Sequence, residues 1–127
     1  GMCEIVKIGA CESFIVSSDK TEVISSSSLP VGMLEKVDME TSSRQLFDGD
    51  LIIMFTDGVR DCFIQEDDND RLENIIRSVK NKDPHTISET ILNAAKELSG
   101  GTAKDDMTVL VAKVRIKTVG AAPYVLI

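Results

Sequence analysis

The sequence is poor in the residues on which several common catalytic and structural devices depend. It contains one histidine, His85, so a Ser-His-Asp or Cys-His mechanism would rest on a single residue at a predicted helix start, which argues against such chemistry. Cys3, Cys11 and Cys62 are odd in number, lie far apart and form no CxxC pair. Neither a disulfide framework nor a cysteine zinc site is therefore indicated, and a reducing, cytoplasmic setting is expected.

Long apolar runs and phosphate-binding glycine loops are also missing. The longest apolar run, residues 51–55, is far too short to span a bilayer, and no charged start followed by an apolar core marks a secretion signal in this sequence. No GxxxxGK(S/T) loop occurs, and Gly100-Gly101 follows a predicted helix instead of opening one. Fourteen basic residues against twenty-one acidic ones give a net charge of -7, which argues against binding to nucleic acid or to an anionic membrane. An anionic substrate would need a bound cation to offset its repulsion by this acidic protein.

The first half of the chain predicts strands. A length of 127 residues with 43% hydrophobic residues is enough for one domain with a core. Residues 3–17 predict a strand pair or one bent strand, and a turn at 18–20 leads into a strand at 21–25, so a β-hairpin is expected here. Asp48-Gly49 is a hairpin signal before a strand at 50–56, whose apolar run is expected to be buried on both faces.

Helical spacing dominates the second half. Residues 71–80 place four apolar side chains on one helical stripe: Leu72, Ile75, Ile76 and Val79. A second helix is predicted from Asp83-Pro84, an N-cap followed by proline at the first position, with a capping box formed by Thr86 and Glu89 and an end at Gly100-Gly101. Its apolar face consists of Ile87, Ile91, Leu92, Ala95 and Leu98.

The last regular element is predicted as a strand at residues 107–116, and residues 118–127 have no assignment. Strands, two helices and a strand, in that order, lack the regular alternation of a doubly wound parallel sheet. We therefore expect an α+β layered fold with mostly antiparallel strands.

Two carboxylate positions carry the candidate chemistry. Asp57 ends the buried strand, and Asp105-Asp106 stands immediately before the last strand. If the two strands are antiparallel neighbours, these carboxylates share one edge of the sheet, where their mutual repulsion favours a hard divalent cation between them. Oxygen ligands favour magnesium or manganese over zinc. Either motif alone, however, is ordinary turn or strand-entry chemistry, and a small β-rich domain whose acidic residues only form turns stays an alternative.

The residues around these carboxylates resemble a known family. Phe55-Thr56-Asp57-Gly58-Val59 resembles the (S/T)DG motif, and the segment from Asp105 to Val109 resembles the D(D/N)xT motif, of the metal-dependent protein phosphatases related to protein phosphatase 2C. Within that group the closer match is to the stage II sporulation protein E family of endospore-forming bacteria. Further blocks that resemble it, in its order, are Lys7-Ile8-Gly9-Ala10, Ser13-Phe14-Ile15, Ser28-Leu29-Pro30-Val31-Gly32 and Gly49-Asp50-Leu51-Ile52-Ile53.

The resemblance implies a fold and a reaction. The fold would be an α-β-β-α sandwich of mostly antiparallel sheets flanked by helices, with a site for two manganese or magnesium ions at one edge. The reaction would be hydrolysis of phosphoserine on an anti-anti-sigma factor by metal-activated water, in sporulation sigma-factor control. By position, Asp57 and Asp105 would be metal ligands, Asp106 a supporting residue, and Gly58 the residue that lets the backbone turn close to the site.

The resemblance also predicts a fragment. The family's bridging aspartate, on an early Asp-Gly motif, has no counterpart before Asp48, so residues 1–117 are expected to be the C-terminal part of the phosphatase domain and inactive alone. Gly1-Met2 would be a tag scar and 118–127 a tail. An uncovered sheet edge would favour homo-oligomers, and the parent protein would be cytoplasmic or membrane-anchored. The alternative function is a non-catalytic module that binds a sigma-regulatory partner or assembles at a division site, and a cell-division protein is a further expected partner.

Overall fold

The computed structural model of the chain describes residues 1–30, 32–33, 40–65, 69–79, 83–116 and 124–126. These residues form strands and three helices. The strands are β1 (Met2–Lys7), β2 (Ser13–Val16), β3 (Thr21–Ile24), β4 (Glu40–Gln45), β5 (Leu51–Phe55), β6 (Val109–Arg115) and β7 (Tyr124–Leu126). The helices are α1 (Asp57–Gln65), α2 (Asn69–Ser78) and α3 (Pro84–Leu98).

The strands form two antiparallel sheets. One has five strands in the order β3-β2-β5-β6-β7, and the other pairs β1 with β4. The predicted hairpin is confirmed for β2 and β3, in which Ser17 N donates to Lys20 O across the turn. The prediction for residues 3–17 was only partly right, because this stretch supplies two strands that belong to different sheets.

The five-stranded sheet is covered on both faces because successive side chains of a strand point in opposite directions. One core cluster joins the sheet to the helices through Phe14, Ile53, Phe63, Ile76 and Ile91. A second, smaller cluster joins it to the two-stranded sheet and contains four buried residues, Ile15, Ile24, Leu46 and Val114. The expected α+β fold of layered, antiparallel sheets with helices is therefore confirmed.

The turn at Asp48-Gly49 is real, but it does not join two paired strands as predicted. Gly49 adopts a φ of 90°, and its N–H donates to Val114 O on β6, while the Asp50 carboxylate accepts from Phe47 N. The strands on either side of the turn, β4 and β5, belong to different sheets. The turn therefore carries the chain from one sheet to the other, and the N–H of Gly49 anchors it to β6.

Burial of β5 on both faces was also overestimated. Leu51 and Ile53 are buried against the helices, and Ile52 packs against the second cluster, but Met54 is 41% exposed. The sequence pattern could not distinguish these faces, because all five side chains are apolar.

The two predicted helices are confirmed as α2 and α3, whereas α1 was missed. Asp57-Gly58 was expected to form only a turn, but it begins a helix of nine residues, Asp57–Gln65. The predicted capping box was wrong. Asp83 is the N-cap of α3, and its Oδ2 accepts from both Thr86 N and Thr86 Oγ1, so Thr86 serves as the third helical residue and not as the cap.

The end of the chain contributes one unexpected element. Tyr124–Leu126, in the stretch without an assignment, pairs antiparallel with β6 and ends the five-stranded sheet. The other end of that sheet is β3. Self-association of the chain through an exposed sheet edge stays a prediction. In the parts of the chain given above, each helix is too short or too polar to cross a membrane.

Candidate metal-binding edge

The predicted pairing of the two motif-bearing strands is confirmed. β5 and β6 are antiparallel neighbours, and Phe55, the last residue of β5, lies opposite Val109, the first residue of β6. The segment after β5 and the segment before β6 therefore emerge at the same edge of the sheet. β2 begins at this edge too, because Phe14 lies opposite Ile53.

Two threonines extend the pairing beyond the last residues of the strands. Thr56 N donates to Thr108 O at 3.1 Å, and Thr108 N donates to Thr56 Oγ1 at 3.0 Å. Thr56 Oγ1 in turn donates to Asp106 O at 3.0 Å. Thr56 and Thr108 were not predicted as site residues, although each occupies a fixed place in one of the two motifs. They lock the two acidic segments to each other.

Gly58 allows the first turn of α1 to lie on the backbone of the other acidic segment. An ideal Cβ at this position would be 2.4 Å from Asp106 O and 3.3 Å from the carbonyl carbon of Asp105. The first contact is far below van der Waals distance and the second is tighter than usual, and both involve backbone atoms, which cannot rotate away. The requirement for glycine is therefore one of space, since Gly58 adopts helical backbone geometry.

The two candidate ligands are exposed at this edge. Asp57 Oδ1 accepts from Gly58 N at 2.9 Å, and Asp105 Oδ1 accepts from Asp106 N at 2.7 Å. Each carboxylate is thus oriented by the next amide of its own segment. Carboxylate oxygens are the donors that magnesium and manganese prefer, so the residues present fit part of the six-ligand shell of such an ion. Among the described residues, no group of three or more His, Cys, Asp or Glu side chains is arranged to hold a metal.

A cleft of about 320 Å³ opens beside Asp105. Its walls come from the start of α1, the end of α3 and the segment before β6. The lining residues are Gly58, Asp61, Cys62, Leu98, Ser99, Gly100, Lys104 and Asp105. The cleft combines acidic, basic and apolar side chains, so it is not a purely apolar pocket.

The loop between β1 and β2 lies at the same edge. Lys7 Nζ donates to the carbonyl of Cys11 and to Ser13 Oγ, and burial lowers the pKa of its ammonium group below 10.5. The pKa of the Cys11 thiol is raised above 9.0, mainly by burial and further by Glu12, Asp57 and Asp61. The ion pair between Glu12 of this loop and Arg60 Nε places the loop beside α1.

Comparison with known proteins supports the family resemblance. The family model described as Stage II sporulation protein E (SpoIIE) matches residues 1–115. The chain is 31% identical over 113 residues to stage II sporulation protein E of Bacillus subtilis, and 32% identical over 114 residues to that of Priestia megaterium. These alignments cover 88% and 89% of this chain but only 14% and 20% of the relatives.

Solved structures agree. A structure of the PP2C phosphatase domain with a fragment of the regulatory domain of SpoIIE from Bacillus subtilis matches with a TM-score of 0.76 at 31% identity, over 88% of this chain and 34% of that one. The phosphatase domain of the same protein in a crystal form without domain swapping matches with a TM-score of 0.74 at 28% identity, over 97% of this chain and 55% of that one. PppA from Pseudomonas aeruginosa, at 18% identity and a TM-score of 0.65, covers 87% of this chain and 51% of its own and shows the fold alone.

The family match spans nearly the whole described chain, and it includes both acidic motifs at the edge formed by β5 and β6. The chain therefore belongs to the stage II sporulation protein E family.

Proposed function

We propose that this chain is the C-terminal part of a metal-dependent serine/threonine protein phosphatase domain. Membership of a family whose solved members are described as PP2C phosphatase domains supports this reading. The observation that carries it is the convergence of Asp57 and Asp105 on one sheet edge, fixed by the pairing of Phe55 with Val109. Isolated turn residues would not require two sequence-distant acidic segments to be locked together by the hydrogen bonds of Thr56.

In this proposal Asp57 and Asp105 hold a manganese or magnesium ion, and one related structure was determined from a manganese-presoaked form. Such an ion, when bound, supplies an activated water and neutralises charge on the phosphoryl oxygens. The chain's own residues orient the donors: the amides of Gly58 and Asp106 each bind one carboxylate oxygen. Two carboxylates fill only part of the coordination shell, so the remaining ligands come from water and from residues outside this chain, which is then inactive by itself.

The proposed substrate is phosphoserine on an anti-anti-sigma factor in sporulation sigma-factor control, in the cytoplasm or at a membrane-anchored parent protein. The sporulation family supports the setting. The net charge of -7 supports the need for a cation, because an acidic protein repels a phosphorylated substrate. A cell-division protein is a further proposed partner of the parent protein.

The test uses the complete domain, with the upstream coding sequence joined to this chain. Asp57→Ala and Asp105→Ala are compared with Asp19→Ala, an exposed acidic residue in the turn at the opposite end of β2. Phosphate release from the phosphorylated anti-anti-sigma factor is measured with manganese, together with manganese binding by titration calorimetry. Activity and affinity should both fall at least about tenfold in the first two variants, since even residues that only orient ligands contribute 10–100-fold.

Three outcomes of this test distinguish the proposed function from its alternatives. Wild-type activity in both Asp57→Ala and Asp105→Ala would show that the ligand assignment is wrong. A complete domain that binds its partner tightly but releases no phosphate would favour the non-catalytic binding module. A complete domain that binds neither manganese nor the partner would indicate that the acidic residues at this edge have only a structural role.

A further inference from the structure

Lys7 connects the two sheets at the candidate metal-binding edge. It is the last residue of β1 and only 7% exposed. Its Nζ donates to Ser13 Oγ at 2.9 Å, and Ser13 is the first residue of β2 in the other sheet. The same ammonium donates to the carbonyl of Cys11. A buried charge that is hydrogen-bonded in this way holds its neighbours in place, because moving them would leave it unsatisfied.

Glu12 lies between Cys11 and Ser13, the two residues that Lys7 binds, and it contacts α1. Its carboxylate forms an ion pair with Arg60 Nε, and the two side chains are only 23% and 21% exposed. Arg60 follows Asp57 by three residues, in the first turn of α1, where its N–H donates to Thr56 O. Partly buried ion pairs are screened less by solvent and salt than exposed ones, so this contact restrains the turn that carries Asp57.

The first turn of α1 is therefore held from two sides. Gly58 rests on the backbone of Asp106, and Arg60 is held by Glu12. We propose that Lys7, Glu12 and Arg60 are positioning residues that fix Asp57 relative to Asp105, so that both carboxylates can bind one divalent cation. The positional part of this proposal stands on the contacts alone, and its metal-binding part rests on the function proposed above.

The first experiment needs no metal. Hydrogen exchange of the amides of Val59 and Arg60, which donate to Thr56 O, is measured on the 127-residue chain. We expect Arg60→Met and Glu12→Gln each to exchange these amides about fivefold faster, the effect of losing one partly buried ion pair. The double variant should be no faster than Arg60→Met alone, because Glu12 acts on α1 through its ion pair with Arg60. Arg77→Met, which removes an exposed ion pair with Glu73 on α2, is the matched control and should leave these amides unchanged.

Lys7 is tested in the same way. Lys7→Met keeps the length of the side chain and removes the ammonium group, so it should accelerate exchange of the same two amides. Lys96→Met, at an exposed position on α3, is its control. Exchange at Val59 and Arg60 that is unchanged in the Lys7, Glu12 and Arg60 variants would overturn the proposal. A uniform acceleration that includes the buried centre of α3 would also overturn it, because that pattern indicates general destabilisation.

The second experiment measures manganese affinity of the complete domain. Arg60→Met should raise the dissociation constant about fivefold, and Arg60→Lys, which retains the charge, should recover part of the loss. Unchanged affinity in Arg60→Met, with wild-type binding intact, would overturn the positioning role for metal binding. Wild-type protein that binds no manganese would instead contradict the proposed function. The exchange experiment would still decide whether Lys7, Glu12 and Arg60 restrain the first turn of α1, an arrangement that we call the brace.

Discussion

Gly58 and Asp106 are in backbone contact across the candidate metal-binding edge: a Cβ at position 58 would lie 2.4 Å from the carbonyl oxygen of Asp106. This contact joins the first turn of α1 to the segment before β6, two parts of the chain that are 48 residues apart. Since each segment carries one candidate ligand, any side chain at position 58 must push Asp57 and Asp105 apart or distort one of them.

Gly58→Ala should therefore destabilise the protein by about 1–3 kcal/mol, the usual cost of forcing an extra methyl group into a closely packed place. Helix propensity alone predicts the opposite sign, because alanine is the better helix former by up to about 1 kcal/mol. Urea unfolding measures the change, and the amide NMR shifts of Asp105 and Asp106 should move. Gly101→Ala is the control: its φ of 81° causes strain, but a Cβ there meets no atom within 4 Å, so those shifts should stay. A stabilised Gly58→Ala variant would contradict the close approach.

The helix that was missed from the sequence gives a second prediction. Phe63 on α1 is completely buried, whereas its neighbour Ile64 is 50% exposed. Phe63→Ala should cost about 3–5 kcal/mol of unfolding free energy, while Ile64→Ala should stay within about 0.5 kcal/mol. Urea unfolding of both variants is the measurement. Equal costs would mean that the segment after Asp57 lacks a helix with one buried face.

The contrast between α1 and α3 shows what the sequence could and could not predict. α3 has an N-cap, proline at its first position, a stripe of apolar residues and a glycine pair after its end, so all the local signals agree. α1 begins with Asp57-Gly58, which locally favours a turn, and its apolar side chains are too few to outweigh that signal. Its formation depends on tertiary contacts, among them the burial of Val59 and Phe63 in the core cluster between the five-stranded sheet and the helices.

The candidate site divides in the same way. The neighbouring strands β5 and β6 could be inferred from two motifs at their ends, and the pairing agrees. The hydrogen bonds of Thr56, the brace from Lys7 to Arg60 and the sheet change at Gly49 could not, because each joins residues whose proximity only the complete fold determines. Asp48-Gly49 is the instructive case: the local turn was right, and the partner strand was wrong.

The N-cap of α3 predicts a pH dependence. The Asp83 carboxylate accepts from the backbone N–H and the hydroxyl of Thr86, and these bonds lower the pKa of Asp83 below its usual 3.8. A carboxyl group whose pKa is lower in the folded state stabilises the protein above its unfolded pKa, and the contribution is lost as pH falls through the folded pKa. The stabilisation should therefore be complete above about pH 4 and decline below it.

The variants Asp83→Asn and Asp83→Ala distinguish the effect of the Asp83 charge on stability from the effect of its N-cap hydrogen bond. Asparagine is also a good N-cap but does not titrate, so the stability difference between wild type and Asp83→Asn should shrink below pH 4. Asp83→Ala should be the least stable of the three at pH 7, because Thr86 N loses its acceptor. Thermal unfolding at pH 7, 5, 4 and 3 measures both effects. A difference between wild type and Asp83→Asn that stays constant over this range would contradict the lowered pKa.

Cys11 reports on the position of α1 without any metal. Its pKa is raised above 9.0 by burial and by the nearby acidic residues, so at pH 8 its thiolate fraction, and with it the rate of alkylation by iodoacetamide, should be low. In a chain whose other cysteines are replaced by serine, Asp61→Asn removes one of the charges that raise this pKa. Alkylation should then be about twofold faster, the size expected for one exposed, partly screened charge. Asp70→Asn, on α2, is the control and should have no effect, so equal rates in the two variants would mean that the loop carrying Cys11 is not beside α1.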